Sequence, residues 1–216
     1  GGVESCGPGV GDLTRGDSVV LVFVPSCGHC PPCQEGRPAL CEPGAAANGA
    51  GTLVGGHRVL ARKDGQVLNH QVGVSCFAEY AVVNRGSLVK VTPDLAPEVA
   101  AVFGCAVLTG VGAAINSAAI RLGQTVAVVG LGGVGLSALL GALAAGAREV
   151  VAFDVLPEKL DLALSLGAAR GFRADDPDVV AQLRAAIPGG ADIVIEAASS
   201  VPALDLAWKL TRRGGT

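Results

Sequence analysis

Methionine is absent from all 216 residues, position 1 included. A chain read from its translation start opens on Met, so this one is expected to be a processed product or a piece cut at both ends. Aromatic residues are scarce: five Phe, one Trp and one Tyr. A basic excess is missing too, with 16 Lys and Arg against 19 Asp and Glu for a net charge of −3. That balance excludes a nucleic-acid partner, because nothing is in surplus to neutralise phosphates. No basic segment followed by an apolar one opens the chain, so a retained signal peptide is not expected.

What is present is aliphatic and small. Half the residues are hydrophobic and the mean hydropathy is +0.51, which excludes disorder and supplies a core. Glycine reaches 32 residues without a three-residue period, so a collagen helix is excluded. Small aliphatics with many glycines suit close-packed α/β layers and tight phosphate-binding turns.

Two stretches, Val99 to Ile120 and Leu122 to Ala147, carry no formal charge and are long enough to span a bilayer. The second holds seven glycines and changes from a β-branched run, Val126 to Val129, to an Ala/Leu-rich helical run from Val134. A buried parallel strand followed by a helix gives that change of pattern. Neither stretch has an aromatic belt or clustered Lys and Arg at its edges, so no membrane partner is expected.

Residues 1 to about 92 read as β-rich, with strands at Val19–Val24, Phe77–Val83 and Leu88–Val91. Beyond residue 97 the pattern alternates. Helices are expected near 98–121, 134–146, 157–167, 177–187 and 201–213, and strands near 125–129, 149–153, 171–173 and 192–196. Strands spaced by helix-length segments imply βαβ units and a parallel sheet. Pro157, Pro177 and Pro202 are each placed to open a helix, where a missing N–H costs least.

Four of the seven cysteines share one window, Cys27-Gly-His-Cys30-Pro-Pro-Cys33 and then Cys41. Thiolates at that spacing can surround one tetrahedral Zn²⁺. The odd total argues against a disulfide framework. An iron–sulfur cluster is the rival, since the first three cysteines share its spacing; the fourth follows seven residues later rather than three, which favours zinc. Four sulfur ligands leave no open position, so this metal is structural. His29, His57 and His70 are expected at the surface, and Cys6 and Cys76 as small buried hydrophobes.

The run Gly130-Leu-Gly132-Gly133-Val134-Gly135 follows a strand and opens a helix, and Asp154 stands at the end of the next strand. In that context the glycines read as a dinucleotide loop. Gly130 would permit the turn, Gly132 the approach of a pyrophosphate, and Gly135 close helix–strand packing. Asp154 can accept from both adenosine-ribose hydroxyls and would repel a 2′-phosphate. Val155 and Leu156 stand where an NADP site would want Arg, so NAD is the expected cofactor.

A four-cysteine lobe upstream of a dinucleotide fold resembles the zinc-containing medium-chain alcohol dehydrogenases. The likeness runs through Gly1–Val10, Arg15-Gly-Asp17, the cysteine lobe, Ser75–Tyr80, Gly104-Cys105-Ala-Val-Leu-Thr109-Gly110, the glycine loop and Asp154. It implies a partial GroES-like catalytic domain over 1–106, with its zinc lobe at 27–41. A C-terminally truncated Rossmann domain would cover 107–216. It also implies that Cys105 is one of three protein ligands of a second, catalytic zinc and that Thr109 lines the nicotinamide side. Val134 would pack behind the nicotinamide ring, and Lys159 would reach the adenosine ribose. The implied activity is oxidation of an alcohol to an aldehyde or ketone, with hydride passing from a zinc-bound alkoxide to NAD. The complete enzyme would be a cytoplasmic homo-oligomer, and this piece alone would be inactive, since the other catalytic ligands would precede Gly1. A polyol or amino-alcohol dehydrogenase of the same superfamily, or a non-catalytic zinc and nucleotide-binding module, are the alternatives.

Overall fold

The structure is a computed structural model that describes residues 1–216, and the chain divides into two compact units, Gly1–Cys105 and Ala106–Thr216.

In the first unit β1 (Val19–Leu21) is followed by a short helix α1 (Pro31–Gln34) and by α2 (Glu42–Ala50). The strands β2 (Leu60–Ala61) and β3 (Val67–Leu68) form a hairpin, and β4 (Leu88–Lys90) returns antiparallel to β1 with Val20 opposite Val89. The turn between β2 and β3 closes through Gly65, which holds φ +87°. The expected strand Phe77–Val83 does not form. Phe77 is fully exposed and Tyr80 is 79% exposed, and an extended segment with no ladder partner is not a strand. Helix α2 departs from the β-rich reading of residues 1 to about 92. Pro43 sits in its first turn, where no intrahelical N–H is needed, and Cys41 caps it through Sγ.

A long apolar helical run covers Pro97–Ser117, starting as α3 (Pro97–Val102) and resuming as α4 (Leu108–Gly112), with π-helical turns at Phe103–Val107 and Ala113–Ser117. By length and composition it could cross a membrane.

The second unit carries β5 (Thr125–Val129), α5 (Gly133–Ala144), β6 (Glu149–Asp154), α6 (Pro157–Ser165), β7 (Arg170–Arg173), α7 (Val179–Ala186), β8 (Ile193–Glu196) and α8 (Val201–Leu210). The uncharged stretch from 122 to 147 is therefore a strand and a helix, not a span. Pro157 opens α6 and Pro202 lies in the first turn of α8, whereas Pro177 stands before Asp178, the cap of α7. The four strands are parallel in the order β7-β6-β5-β8. Burial on both faces explains the unbroken apolar run of β5. Val126 and Val128 pack with Leu139, Ala152 and Leu160 on one face; Ala127 and Val129 pack with Phe153, Leu183 and Leu206 on the other. Helix α4 lies on α5 at close range. A Cβ on Gly110 would collide with Val134 O, and one on Gly141 would come within 3.1 Å of Val111 Cα.

Candidate functional site

The sulfurs of Cys27, Cys30, Cys33 and Cys41 all lie within 4.8 Å of one another, and none is bridged. Tetrahedral Zn–S bonds of ~2.3 Å would set sulfurs ~3.8 Å apart, so the four need close only slightly. Backbone N–H groups already point at this charge: Cys30 N donates to Cys27 Sγ at 3.3 Å, and Cys27 N and Gly44 N donate to Cys41 Sγ at 3.2 and 3.3 Å. Gly28, at φ +82°, lets the first turn of the loop close. The backbone N–H of His29 draws the Cys27 thiol down to about 6, while desolvation among the other sulfurs pushes Cys33 up to about 11. Crowded sulfurs that resist shared ionisation fit a divalent cation, which removes the conflict by binding. Gly44 was not anticipated. A Cβ there would collide with Pro25 O and reach 3.3 Å from Cys41 Sγ, so only glycine lets α2 seat against the cluster.

His29 and His57 are exposed, as expected, but His70 is not: it is 3% exposed. Its Nε2 accepts the N–H of Val59 at 3.2 Å, and its backbone N–H donates to the Gly51 carbonyl. A local reading has no access to that partner eleven residues away. Cys6 and Cys76 are exposed rather than buried. Cys6 still donates to Leu13 O at 3.4 Å.

In the second unit Val129 leads into Gly130, which holds φ +89°. A Cβ there would come within 2.6 Å of Ala198 N, and one on Gly135 would collide with the carbonyl oxygen of Gly130. Gly132 faces open space, with nothing within 4 Å of a Cβ built on it. The three glycines thus do different things: Gly130 turns, Gly135 packs, and Gly132 leaves an approach free. Gly132 caps α5 without a side chain, and the N–H groups of Gly133, Val134 and Gly135 lack acceptors within the helix. Such an end attracts a diphosphate.

Asp154 ends β6, beside the loop, and is 7% exposed. Its Oδ2 accepts the N–H of Leu131 at 2.7 Å and its Oδ1 that of Leu156 at 3.0 Å. Each oxygen retains a lone pair, so ribose hydroxyls can still be accepted. Lys159 is half-buried on α6, five residues on. Across the loop Glu196 ends β8, and its Oε1 accepts from Ala198 and Ser199 N–H at 2.7 and 2.8 Å, fixing the turn that packs on Gly130. Sequence reading missed this residue; its place at a strand end facing the loop was the available signal. Cys105 is an exposed thiol in the π-helical turn Phe103–Val107 and stands apart from the four clustered sulfurs; Thr109 is exposed on α4.

Two family models match the chain: an alcohol dehydrogenase GroES-like domain over residues 1–94 and a zinc-binding dehydrogenase over 133–216. Alcohol dehydrogenase B of Mycobacterium tuberculosis is 46% identical over 182 residues, 84% of this chain and 47% of that protein. Geraniol dehydrogenase of Castellaniella defragrans is 42% identical over the whole chain and 58% of its own length. Among solved structures, an alcohol dehydrogenase zinc-binding domain protein from Burkholderia ambifaria superposes with a TM-score of 0.87 at 37% identity, over 98% of this chain and 57% of that one. Benzyl alcohol dehydrogenase of Acinetobacter calcoaceticus gives 0.84 at 33%, over 100% and 58%. The chain spans about half the length of the curated relatives it matches.

Proposed function

This chain belongs to the zinc-containing medium-chain alcohol dehydrogenase family, and from that premise we propose that the protein carrying it oxidises an alcohol to an aldehyde or ketone with NAD. The observation that carries the reading is the glycine loop between β5 and α5 with Asp154 beside it. Zinc would supply a Lewis acid that makes an alcohol easier to deprotonate, and NAD would supply the hydride acceptor.

The chain's own residues bind and orient. Gly132 leaves the diphosphate an approach to the N–H groups of α5. Asp154 accepts from the adenosine ribose, and its charge disfavours a 2′-phosphate, hence NAD over NADP. Lys159 would reach the adenosine ribose. Cys105 would give one thiolate to the reactive metal, Thr109 would line the nicotinamide side, and Val134 would back the ring. The Cys27, Cys30, Cys33 and Cys41 cluster would hold a structural zinc that serves the fold rather than the reaction. The names of geraniol and benzyl alcohol dehydrogenases among the relatives support a small alcohol as substrate. Seven unbridged thiols support a reducing compartment, the cytoplasm. Family membership supports a homo-oligomer.

The test is an enzyme carrying this chain, assayed for NADH formation with a panel of primary, aryl and terpenoid alcohols. Cys105→Ala should abolish turnover and leave NAD binding intact. Turnover that survives Cys105→Ala would remove Cys105 from the reaction.

A further inference from the structure

The four strands of the parallel sheet end at Val129, Asp154, Arg173 and Glu196. In an open α/β sheet, ligands bind outside these carboxyl ends. Arg173 is the one cation among the four, and in the β6–β7 ladder its partner is Asp154 itself. One residue earlier on each strand, Phe153 and Phe172 stack with centroids 5.2 Å apart on the face packed by Leu183 and Leu206. Side chains alternate along a strand, so Asp154 and Arg173 both project to the opposite face, that of α5 and α6.

One edge of the Arg173 guanidinium, its Nε and Nη2, is taken up by Asp175. The Nε donates to Asp175 Oδ1 at 2.9 Å and the Nη2 to Oδ2 at 2.6 Å, a bidentate fork. The Asp175 hydrogen bonds and, more weakly, the charge of Glu158 on α6 raise the guanidinium further above its ordinary value, and Arg173 in turn holds the Asp175 carboxyl below the usual carboxylate range. Arg173 thus stands beside Asp154 in the ladder and in the field of Asp175 and Glu158.

We propose that Asp175 is a specificity-determining residue for the dinucleotide: by pairing Arg173 beside Asp154, it withholds the strand-end cation from a ribose 2′-phosphate. The inference rests on the dinucleotide reading above and adds a second element to it. Asp154 repels the phosphate directly; Asp175 occupies the group that would otherwise bind it. A free guanidinium offers the planar fork that phosphate oxygens take best. Both partners are exposed, at 45% and 51%, and an exposed pair contributes little to folding, so the pair can be opened without unfolding the sheet.

The experiment is calorimetric titration of an enzyme carrying this chain with ADP-ribose and with its 2′-phosphorylated form, which reads the adenosine half without turnover. Asp175→Ala should tighten the 2′-phosphorylated ligand about tenfold, the effect of one new charge-assisted hydrogen bond, and move ADP-ribose by less than about twofold. The tightening should shrink at high salt, as exposed charge interactions do. In Arg173→Ala/Asp175→Ala it should vanish. Tightening that persists without Arg173 reflects the lost negative charge alone and overturns the proposal, as does no tightening in Asp175→Ala. An unsubstituted enzyme that binds neither ligand removes the dinucleotide reading itself, and this inference with it.

Discussion

Asp154 Oδ2 accepts the N–H of Leu131 at 2.7 Å, tying the end of β6 to the second residue of the glycine loop that leaves β5. The carboxylate proposed to hold a ribose therefore also shapes the glycine loop.

Asp154→Ala should act twice. The buried Leu131 N–H loses its acceptor, for a cost of about 1–3 kcal/mol, and the ribose loses one or two charge-assisted contacts worth ~1.5–3 kcal/mol each. Urea denaturation and NAD titration separate the two. Unchanged stability together with weakened NAD binding would show that the Leu131 bond contributes nothing to the fold.

Gly135 and Gly132 should part company on substitution. Gly135→Ala forces a methyl into the carbonyl of Gly130, backbone against backbone, and should destabilise the second unit by more than about 2 kcal/mol. Gly132→Ala meets no protein atom and should melt within a few degrees of the parent, yet weaken NAD because the methyl stands in the ligand's approach. Thermal melts paired with calorimetry check both. Equal losses of stability would contradict the assignment of separate roles.

The second unit was legible because its signals are local. The β-branched run of β5, the change to Ala and Leu in α5 and the acid at the end of β6 each stand in a window shorter than thirty residues. The first unit was less so. Phe77–Val83 has a strand's composition, but no neighbour arrives to pair with it, and pairing is not written in the segment itself. Helix α2 hides behind Pro43 and Gly44, whose positions suit a helix start and a close contact with Cys41. Burial of His70 and exposure of Cys6 and Cys76 depend on how loops fold over one another. Spacing within the sequence carries no trace of that.

His70→Ala tests the largest of these differences. The N–H of Val59 would lose its acceptor and a buried ring would leave a cavity, together about 2–4 kcal/mol against the first unit. His70→Gln, which offers an acceptor of similar reach, should recover part of it. Denaturation followed by a probe in the first unit would show whether Val59 depends on the imidazole.

Asp192 should give the second unit part of its acid sensitivity. Its carboxylate accepts Thr125 N–H at 2.7 Å and Arg212 Nε at 2.6 Å, and these bonds, the backbone one first, hold it below the usual range. A depressed folded value means the stabilisation is complete above the unfolded value of about 3.9 and is lost as pH falls through the folded one. Asp192→Asn should lower stability at neutral pH and flatten the slope of stability against pH below about 4. An unaltered slope would place the acid sensitivity elsewhere.

Metal content tests the cysteine lobe. The four clustered sulfurs should load one Zn²⁺ and no iron, without visible colour. Removing that metal with a chelator should lower the midpoint of the first unit, and Cys33→Ser should cost more than about 2 kcal/mol, since loss of a metal site is among the few single changes that large. The pH dependence has a definite sign. Protons compete with zinc for sulfur, and the crowded thiols, Cys33 above all, which desolvation pushes up, must give up theirs for the metal to bind. Zinc affinity should therefore rise as pH increases from about 6 to 9, with protons released on binding. Calorimetry in buffers of different ionisation enthalpy counts those protons. Stoichiometric iron with a brown colour would replace zinc by a cluster, and an affinity indifferent to pH would mean that the sulfurs do not supply the ligands.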